Sequence, residues 1–79
     1  MTDFKVVYTL PVQFRPEART YVPFRKQDDS IMLTMIETNG NVLIDETVPE
    51  SMSPKTFACV VVGGVIGMSK ELYEYMWEQ

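Results

Sequence analysis

The side chains that could carry out chemistry in this chain are few, and their spacing matches no catalytic or metal-binding pattern. Two pairs of adjacent carboxylates, Asp28-Asp29 and Asp45-Glu46, are of the kind that can hold a divalent cation or divide acid and base roles. The first pair lies in a predicted loop without calcium-loop spacing, and the second pair points to opposite faces of a predicted strand. We therefore interpret all four as solvated side chains and expect no metal site.

Nucleophilic chemistry is equally poorly supported. The chain has no histidine, which excludes Ser-His and Cys-His pairs and histidine metal ligands. Its single cysteine, Cys59, can form neither an internal disulfide nor a cysteine zinc site. In the most apolar stretch of the chain, with no flanking cation, this thiol is expected to be a small core residue with a raised pKa. We predict that the protein is not an enzyme and needs no cofactor.

The glycine-rich segment Gly63-Gly64-Val65-Ile66-Gly67 is a weak candidate for a phosphate-binding loop. Such a loop ends in Gly-Lys-Ser/Thr, whereas Ser69-Lys70 stand in the reverse order after Gly67. Residues 64–67 formally match the GXXG loop of a KH domain but offer no cation to a nucleic-acid backbone. We expect these glycines to form a tight turn or a close contact between elements.

The distribution of charge is more informative than its total. The net charge is −4. Residues 1–26 hold five basic and two acidic side chains, a net of +3, and residues 27–79 hold two basic and nine acidic ones, a net of −7. Phe14, Tyr21 and Phe24 are interleaved with the basic residues, a combination that single-stranded nucleic-acid sites use. A nucleic-acid site is therefore an alternative function, with four candidate residues: Arg15, Arg19, Arg25 and Lys26. The competing interpretation buries the aromatic rings and pairs the arginines with the acidic half.

The C-terminal segment provides the other candidate surface. Strong helix formers follow Ser69, a good N-cap, and helical spacing places three glutamates on one stripe with Leu72, Tyr73 and Met76 opposite. Tyr and Trp at a rim are typical interface side chains, and carboxylates steer a protein towards basic partners. The predicted partner-binding residues are Glu71, Glu74, Tyr75, Trp77 and Glu78. The competing interpretation is a solvated face with the rings folded onto the sheet.

The elements that must position these side chains begin with a strand. Apolar residues occupy every second position over residues 4–14, which predicts a long half-buried strand with Pro11 at an edge or a bend. A short second strand is expected over residues 21–24. Asn39-Gly40 predicts a two-residue hairpin turn between residues 31–38 and 41–48, which places Ile36 opposite Leu43. That register buries one face of the hairpin: Ile31, Leu33, Met35, Val42, Ile44 and Val48.

The segment over residues 54–68 is ambiguous. Ser53-Pro54 is a helix-start signal, but the β-branched run Val60-Val61-Val62 before two glycines is typical of a buried strand. The balance slightly favours a strand over residues 56–62, with a helix as the alternative.

These patterns predict one small α+β domain over residues 1–79. Three to five antiparallel strands form a sheet, and the C-terminal amphipathic helix packs on one face. Opposite charges are expected to hold the first strand near that helix. Because one helix covers only part of a sheet, a homodimer is an open possibility. A lone cysteine, a chain with no secretory leader and a longest apolar run of residues 57–68 predict a cytoplasmic protein without a membrane span.

The leading functional hypothesis is a non-enzymatic interaction protein. It would be an accessory subunit or inhibitor that docks on a partner with a basic surface, such as a nucleic-acid-processing complex. Small phage-type inhibitors of host defence share this general character, although no motif here ties the chain to them.

Overall fold

A four-stranded antiparallel sheet carries two helices on one face in the computed structural model, which describes residues 3–78. The sheet order is β1-β4-β3-β2. The elements are β1 (Lys5–Thr9), a 3-10 turn (Val12–Phe14), β2 (Thr20–Arg25), β3 (Ile31–Ile36), β4 (Asn41–Ile44), α1 (Pro54–Ile66) and α2 (Lys70–Trp77). The architecture confirms the predicted α+β fold with its C-terminal helix, and it adds a second helix, α1.

The first predicted strand is shorter than its sequence pattern. β1 lies at one edge of the sheet, is interrupted by a bulge between Val6 and Tyr8, and ends at Thr9. Pro11 then precedes the 3-10 turn, so the predicted bend is confirmed, but residues 12–14 form no strand. The second predicted strand is confirmed as β2, which forms the other edge and contains Pro23.

The predicted hairpin is present with a different turn, so its predicted register is wrong. Ile36 pairs with Val42 rather than with Leu43, and the loop has three residues, 38–40. Gly40 has φ +92°, as the last residue of a three-residue loop with a bulge requires. A Cβ at this position would lie 2.6 Å from the Leu10 carbonyl oxygen and 2.6 Å from Arg15 Nε. Packing against residues 10–15 therefore makes glycine necessary here.

The one-residue slip reverses the faces of β3, because side chains alternate along a strand. The inner face, under the helices, carries Met32, Thr34, Ile36, Val42 and Ile44, all buried. Thr34 is satisfied there by donating its hydroxyl hydrogen to the Val22 carbonyl. The predicted buried residues Ile31 and Leu33 are instead 52% and 38% exposed. They lie on the outer side of the sheet, whose apolar residues we call the outer sheet face: Val6, Tyr21, Pro23, Ile31, Leu33, Met35 and Leu43. Arg25, Thr9 and Asn41 point to the same side at the ends of the strands.

Residues 54–66 form a helix, so the slight preference for a strand over residues 56–62 is wrong. Ser53 caps α1 by accepting a hydrogen bond from the Thr56 amide, and Pro54 occupies the first turn. The β-branched run over residues 60–62 costs only tenths of a kcal/mol per residue in a helix, on the order of 0.5 kcal/mol each. Burial of Phe57, Val61 and Val62 outweighs that cost, because tertiary packing supplies most helix stability.

The core lies between the inner face and the helices. α1 contacts β1 and β2, and α2 packs mainly on α1. Phe57 is fully buried and meets Phe24 of β2 edge-on, with ring centroids 5.0 Å apart. Ser69 caps α2 through the Leu72 amide, as predicted, and Leu72 and Met76 face the core. No helix within residues 3–78 has the length and apolar character needed to cross a membrane.

The two glycines inside α1 predict gains of different size on substitution by alanine. Nothing lies within 4 Å of a Cβ built on Gly64, whereas one on Gly63 would lie 2.7 Å from Met68 Cε. Since alanine favours a helix by about 0.5–1 kcal/mol over glycine, Gly64→Ala should raise the free energy of unfolding by that amount. Gly63→Ala should gain less, because Met68 must move. Urea unfolding of both variants measures the difference, and equal gains would contradict the contact.

Candidate functional site

The exposed surface of α2 combines aromatic and acidic side chains. Leu72 and Met76 are buried against the core and Tyr75 is half-buried, which turns the remaining positions of this short helix outward. Tyr73 and Trp77, one turn apart, are 53% and 61% exposed and lie edge to face with ring centroids 6.2 Å apart. We call Glu71, Tyr73, Glu74, Trp77 and Glu78 the α2 surface.

The three predicted glutamates lie together on this surface. Glu71, Glu74 and Glu78 are all exposed. Glu74 approaches Lys70 one turn earlier at 3.9 Å, between two side chains that are 63% and 90% exposed. Such a pair contributes little, about 0.3–0.5 kcal/mol, so the acidic side of α2 remains available to a partner.

Tyr73 was placed on the opposite face by the sequence pattern, and that prediction is wrong. Helical spacing places Tyr73 and Tyr75 at similar angles on either side of Leu72 and Met76, so either tyrosine could have packed against the core. Tyr75 takes it, because Phe14 and Tyr8 from the N-terminal half of the chain provide its contacts. An (i, i+4) aromatic pair, Tyr73 and Trp77, is the signal in the sequence that could have identified the exposed side.

Tyr75, a predicted partner-binding residue, is half-buried between the two ends of the chain. Its ring packs against Phe14 at 5.3 Å, and its hydroxyl hydrogen-bonds with that of Tyr8 in β1. The Lys55 ammonium lies 4.3 Å from the ring centroid and donates a hydrogen bond to the Glu78 carbonyl at 2.7 Å. Burial and the hydrogen bond with Tyr8 raise the pKa of Tyr75 to about 12. Tyr75 therefore holds α2 in place rather than lying open to a partner.

This tyrosine contact also replaces the expected ionic one. Opposite charges were predicted to hold the first strand near the C-terminal helix, but the contact between β1 and α2 is made by two neutral hydroxyl groups. The ion pairs that the basic N-terminal segment forms are with loop residues instead.

The four candidate nucleic-acid residues are each engaged within the chain. Arg15 Nε donates to the Leu10 carbonyl at 2.9 Å. The other three form the ion pairs Arg19–Glu37 at 3.5 Å, Arg25–Asp29 at 3.8 Å and Lys26–Glu46 at 2.5 Å. The hydrogen bond to Glu46 raises the pKa of Lys26.

The aromatic residues between them do not form a common platform. Phe14 is buried, and Phe24 is half-buried against α1. Tyr21 is 54% exposed, but it lies on the outer sheet face. A stacking site needs several open rings beside free cations. Here Tyr21 shares the outer side of the sheet with Arg25, which is paired with Asp29, while Phe14 and Phe24 pack inward on Tyr75 and Phe57.

The remaining reactive candidates are structural or isolated. Asp28 and Asp29 are exposed, and Asp28 accepts hydrogen bonds from Ser30 that lower its pKa. Asp45 is half-buried and its Oδ1 atom is buried without a hydrogen-bond partner. Within residues 3–78 no group of three or more acidic or cysteine side chains could hold a metal ion. Cys59 is buried, and that burial raises the pKa of its thiol.

One open cleft, of about 750 Å³, lies between the β2–β3 turn and the loop that precedes α1. Phe24, Val48 and Met52 provide apolar walls, and Lys26 and Glu46 lie among its polar residues. The two cations that line it, Arg25 and Lys26, are ion-paired, and the carboxylates of Asp28 and Glu50 also line it, so the cleft offers an anionic ligand no uncompensated positive charge.

Comparison of the chain with protein-family models, with curated proteins and with solved structures finds no match.

The environment of Tyr75 predicts a pH dependence. The pKa of Tyr75 is raised to about 12 from the model-compound value of 10.0, so its contribution to stability is complete below pH 10 and is lost as the pH rises towards 12. The free energy of unfolding should therefore fall between pH 10 and 12, and Tyr75→Phe should make this fall shallower. Ultraviolet titration of tyrosine should show a step near pH 12 that Tyr75→Phe removes. Retention of that step in the variant would refute the assignment.

Proposed function

We propose that this chain is a non-enzymatic interaction protein of the cytoplasm, which docks through the α2 surface on a partner protein with a basic surface. It acts as an accessory subunit or as an inhibitor, for example of a nucleic-acid-processing or phage-defence complex. The observation that carries the proposal is the exposed Tyr73–Trp77 pair beside three carboxylates on one rigid helix.

The chemistry of this surface suits protein recognition. Trp and Tyr are enriched among residues that dominate binding energy, since they bury a large area while losing few rotatable bonds. Exposed carboxylates contribute mainly to association rate and to the choice of partner. Lys55 and Tyr75 fix α2 against the rest of the molecule. The helix is therefore ordered before it binds a partner, and binding costs it little conformational entropy.

The compartment is supported by the thiol. Cys59 is buried and forms no disulfide, which is typical of proteins in a reducing compartment. Asp28 and Glu46, one from each acidic pair, line the cleft described above, but Asp28 accepts hydrogen bonds from Ser30 and Glu46 is ion-paired with Lys26. These contacts support structural roles for the two carboxylates rather than catalytic ones.

Charge and aromatic variants of α2 should weaken capture of the partner from a native-cell lysate. Glu71→Gln, Glu74→Gln and Glu78→Gln, combined with Trp77→Ala, remove both the steering charge and the anchor. We expect at least a tenfold loss of captured partner at low salt, which is about 1.4 kcal/mol, and a weaker salt dependence of what remains. Quantitative mass spectrometry of the captured proteins measures both.

A control of equal net charge separates a local effect from a general one. Asp3→Asn, Glu17→Gln and Glu50→Gln also remove three negative charges at exposed positions outside α2. This variant should capture the partner as the unaltered chain does. Equal losses from this triple variant and from the fourfold α2 variant would show that net charge alone matters and would reject the α2 surface.

The nucleic-acid alternative predicts a different result. Because Arg15 and Lys26 are hydrogen-bonded within the chain and Phe14 and Phe24 pack inward, where they cannot stack on bases, we expect no mobility shift of a single-stranded oligonucleotide in a low-salt gel. A shift that Arg19→Gln and Arg25→Gln abolish would favour the alternative over protein docking.

A further inference from the structure

We propose that the outer sheet face is the interface of a weak homodimer, in which the sheets of two copies pack face to face. This inference goes beyond the proposed function and is independent of it, because α2 lies on the helical side of the sheet. The seven residues that form the outer sheet face are uncharged, the one strand residue of β2 and β3 on this side that is charged, Arg25, lies at the end of the face beside Ile31, and α1 and α2 cover only the opposite, inner face.

The exposure of this face is unusual for a surface in contact with water. Val6, Tyr21 and Ile31 are 52%, 54% and 52% exposed, and Leu33 on a central strand is 38% exposed. Met35, at the middle of the face, is only 8% exposed, since its neighbours crowd around it. The side chains therefore form one contiguous apolar patch, which on a small protein marks an interaction site.

The edges of the sheet favour packing on its face over the addition of another strand. β1 is interrupted by its bulge and begins with Lys5, and β2 contains Pro23, which has no amide hydrogen to donate. An extended peptide added at either edge would meet these obstacles. A second sheet stacked about 10 Å away meets none of them.

The charges at the rim of the face point to a second copy as the occupant. Arg19 is paired with Glu37 at one end of the β2–β3 ladder, and Arg25 is paired with Asp29 at the other. A strongly charged partner would find no uncompensated charge to select it. Two identical faces with internally paired rims do not repel each other, so self-association is compatible with the charge pattern.

The acidity of the chain does not oppose this arrangement. The α2 carboxylates project from the helical side, so in the dimer two helical layers and two sheets separate the two sets. That separation exceeds the Debye length of about 8 Å at physiological ionic strength, and the repulsion is screened.

The area of the face indicates how strong the dimer should be. Four strands spaced 4.8 Å apart and four to six residues long span roughly 20 by 20 Å. With side-chain relief this buries on the order of 500 Å² per copy, or about 1,000 Å² in total, at the lower limit for specific interfaces. We therefore expect dissociation in the micromolar range. The dimer would present two α2 surfaces, one on each outer side.

Sedimentation equilibrium of the purified chain over a micromolar to millimolar range tests the proposal. The mass should rise from 9.1 kDa towards twice that value as the concentration increases. Leu33→Glu should raise the dimer dissociation constant at least about 30-fold, because each copy would bury an unpaired charge. Val60 on α1 is also 38% exposed, so Val60→Glu is the matched control and should leave the constant unchanged.

A second matched pair protects the test against misfolding of the Leu33 variant. Tyr21 on an edge strand and Tyr73 on α2 are 54% and 53% exposed. Tyr21→Lys should abolish the dimer while circular dichroism retains the spectrum of the folded chain, and Tyr73→Lys should not affect it. A chain that is monomeric at millimolar concentration overturns the proposal, as does a dimer that survives both Leu33→Glu and Tyr21→Lys. Either result leaves lysate capture through α2 untouched.

Discussion

The packing of α1 across the inner face of the sheet is the interaction on which the rest of the structure depends. Phe57 fills the centre of that contact against Phe24, and Val61 and Val62 extend it. α2 has little contact area of its own with the sheet and packs mainly on α1. Without α1 in place, neither the C-terminal helix nor the side chains that it presents would have a defined position.

A sheet has two faces, and the helices of this chain cover one of them. That constraint explains two features that otherwise look unrelated. The centre of the inner face is buried, and the polar side chain buried there, Thr34, is hydrogen-bonded. The outer sheet face remains apolar and open, which a chain of this size tolerates alone only with difficulty, since small domains bury a modest fraction of their surface. Self-association is the simplest physical response to an uncovered face.

Electrostatics has a local role in this protein. The +3 and −7 segments suggested two charged surfaces, but three basic side chains of the first segment find acidic partners in the loops beside them. The acidic side chains of α2 remain exposed on the same helix as Tyr73 and Trp77. A hydrogen bond between two tyrosine hydroxyls joins β1 to α2, where the sequence predicts an ion pair.

Much of the fold could be predicted from local signals. Ser69 predicted the start of α2, Pro11 predicted the bend after β1, and alternating apolar residues predicted the sheet. The β3 register could not be predicted from the residues, because Asn39-Gly40 suits a two-residue or a three-residue loop, and both faces of the hairpin are apolar enough to be buried. The strand favoured over residues 56–62 is wrong for a related reason: the β-branched residues of this segment have a weak strand preference, which burial in a helix overrides.

The sequence by itself determined the chemistry that this protein lacks and the segments from which its elements form. Residue types alone exclude histidine chemistry and disulfides, and short-range spacing sets helix starts and strand periodicity. Only the tertiary structure decided which apolar face is covered, which tyrosine of α2 is held and which basic residues are paired. These outcomes depend on contacts between residues far apart in the chain, such as Tyr8 with Tyr75 and Lys26 with Glu46, whose geometry no local pattern encodes.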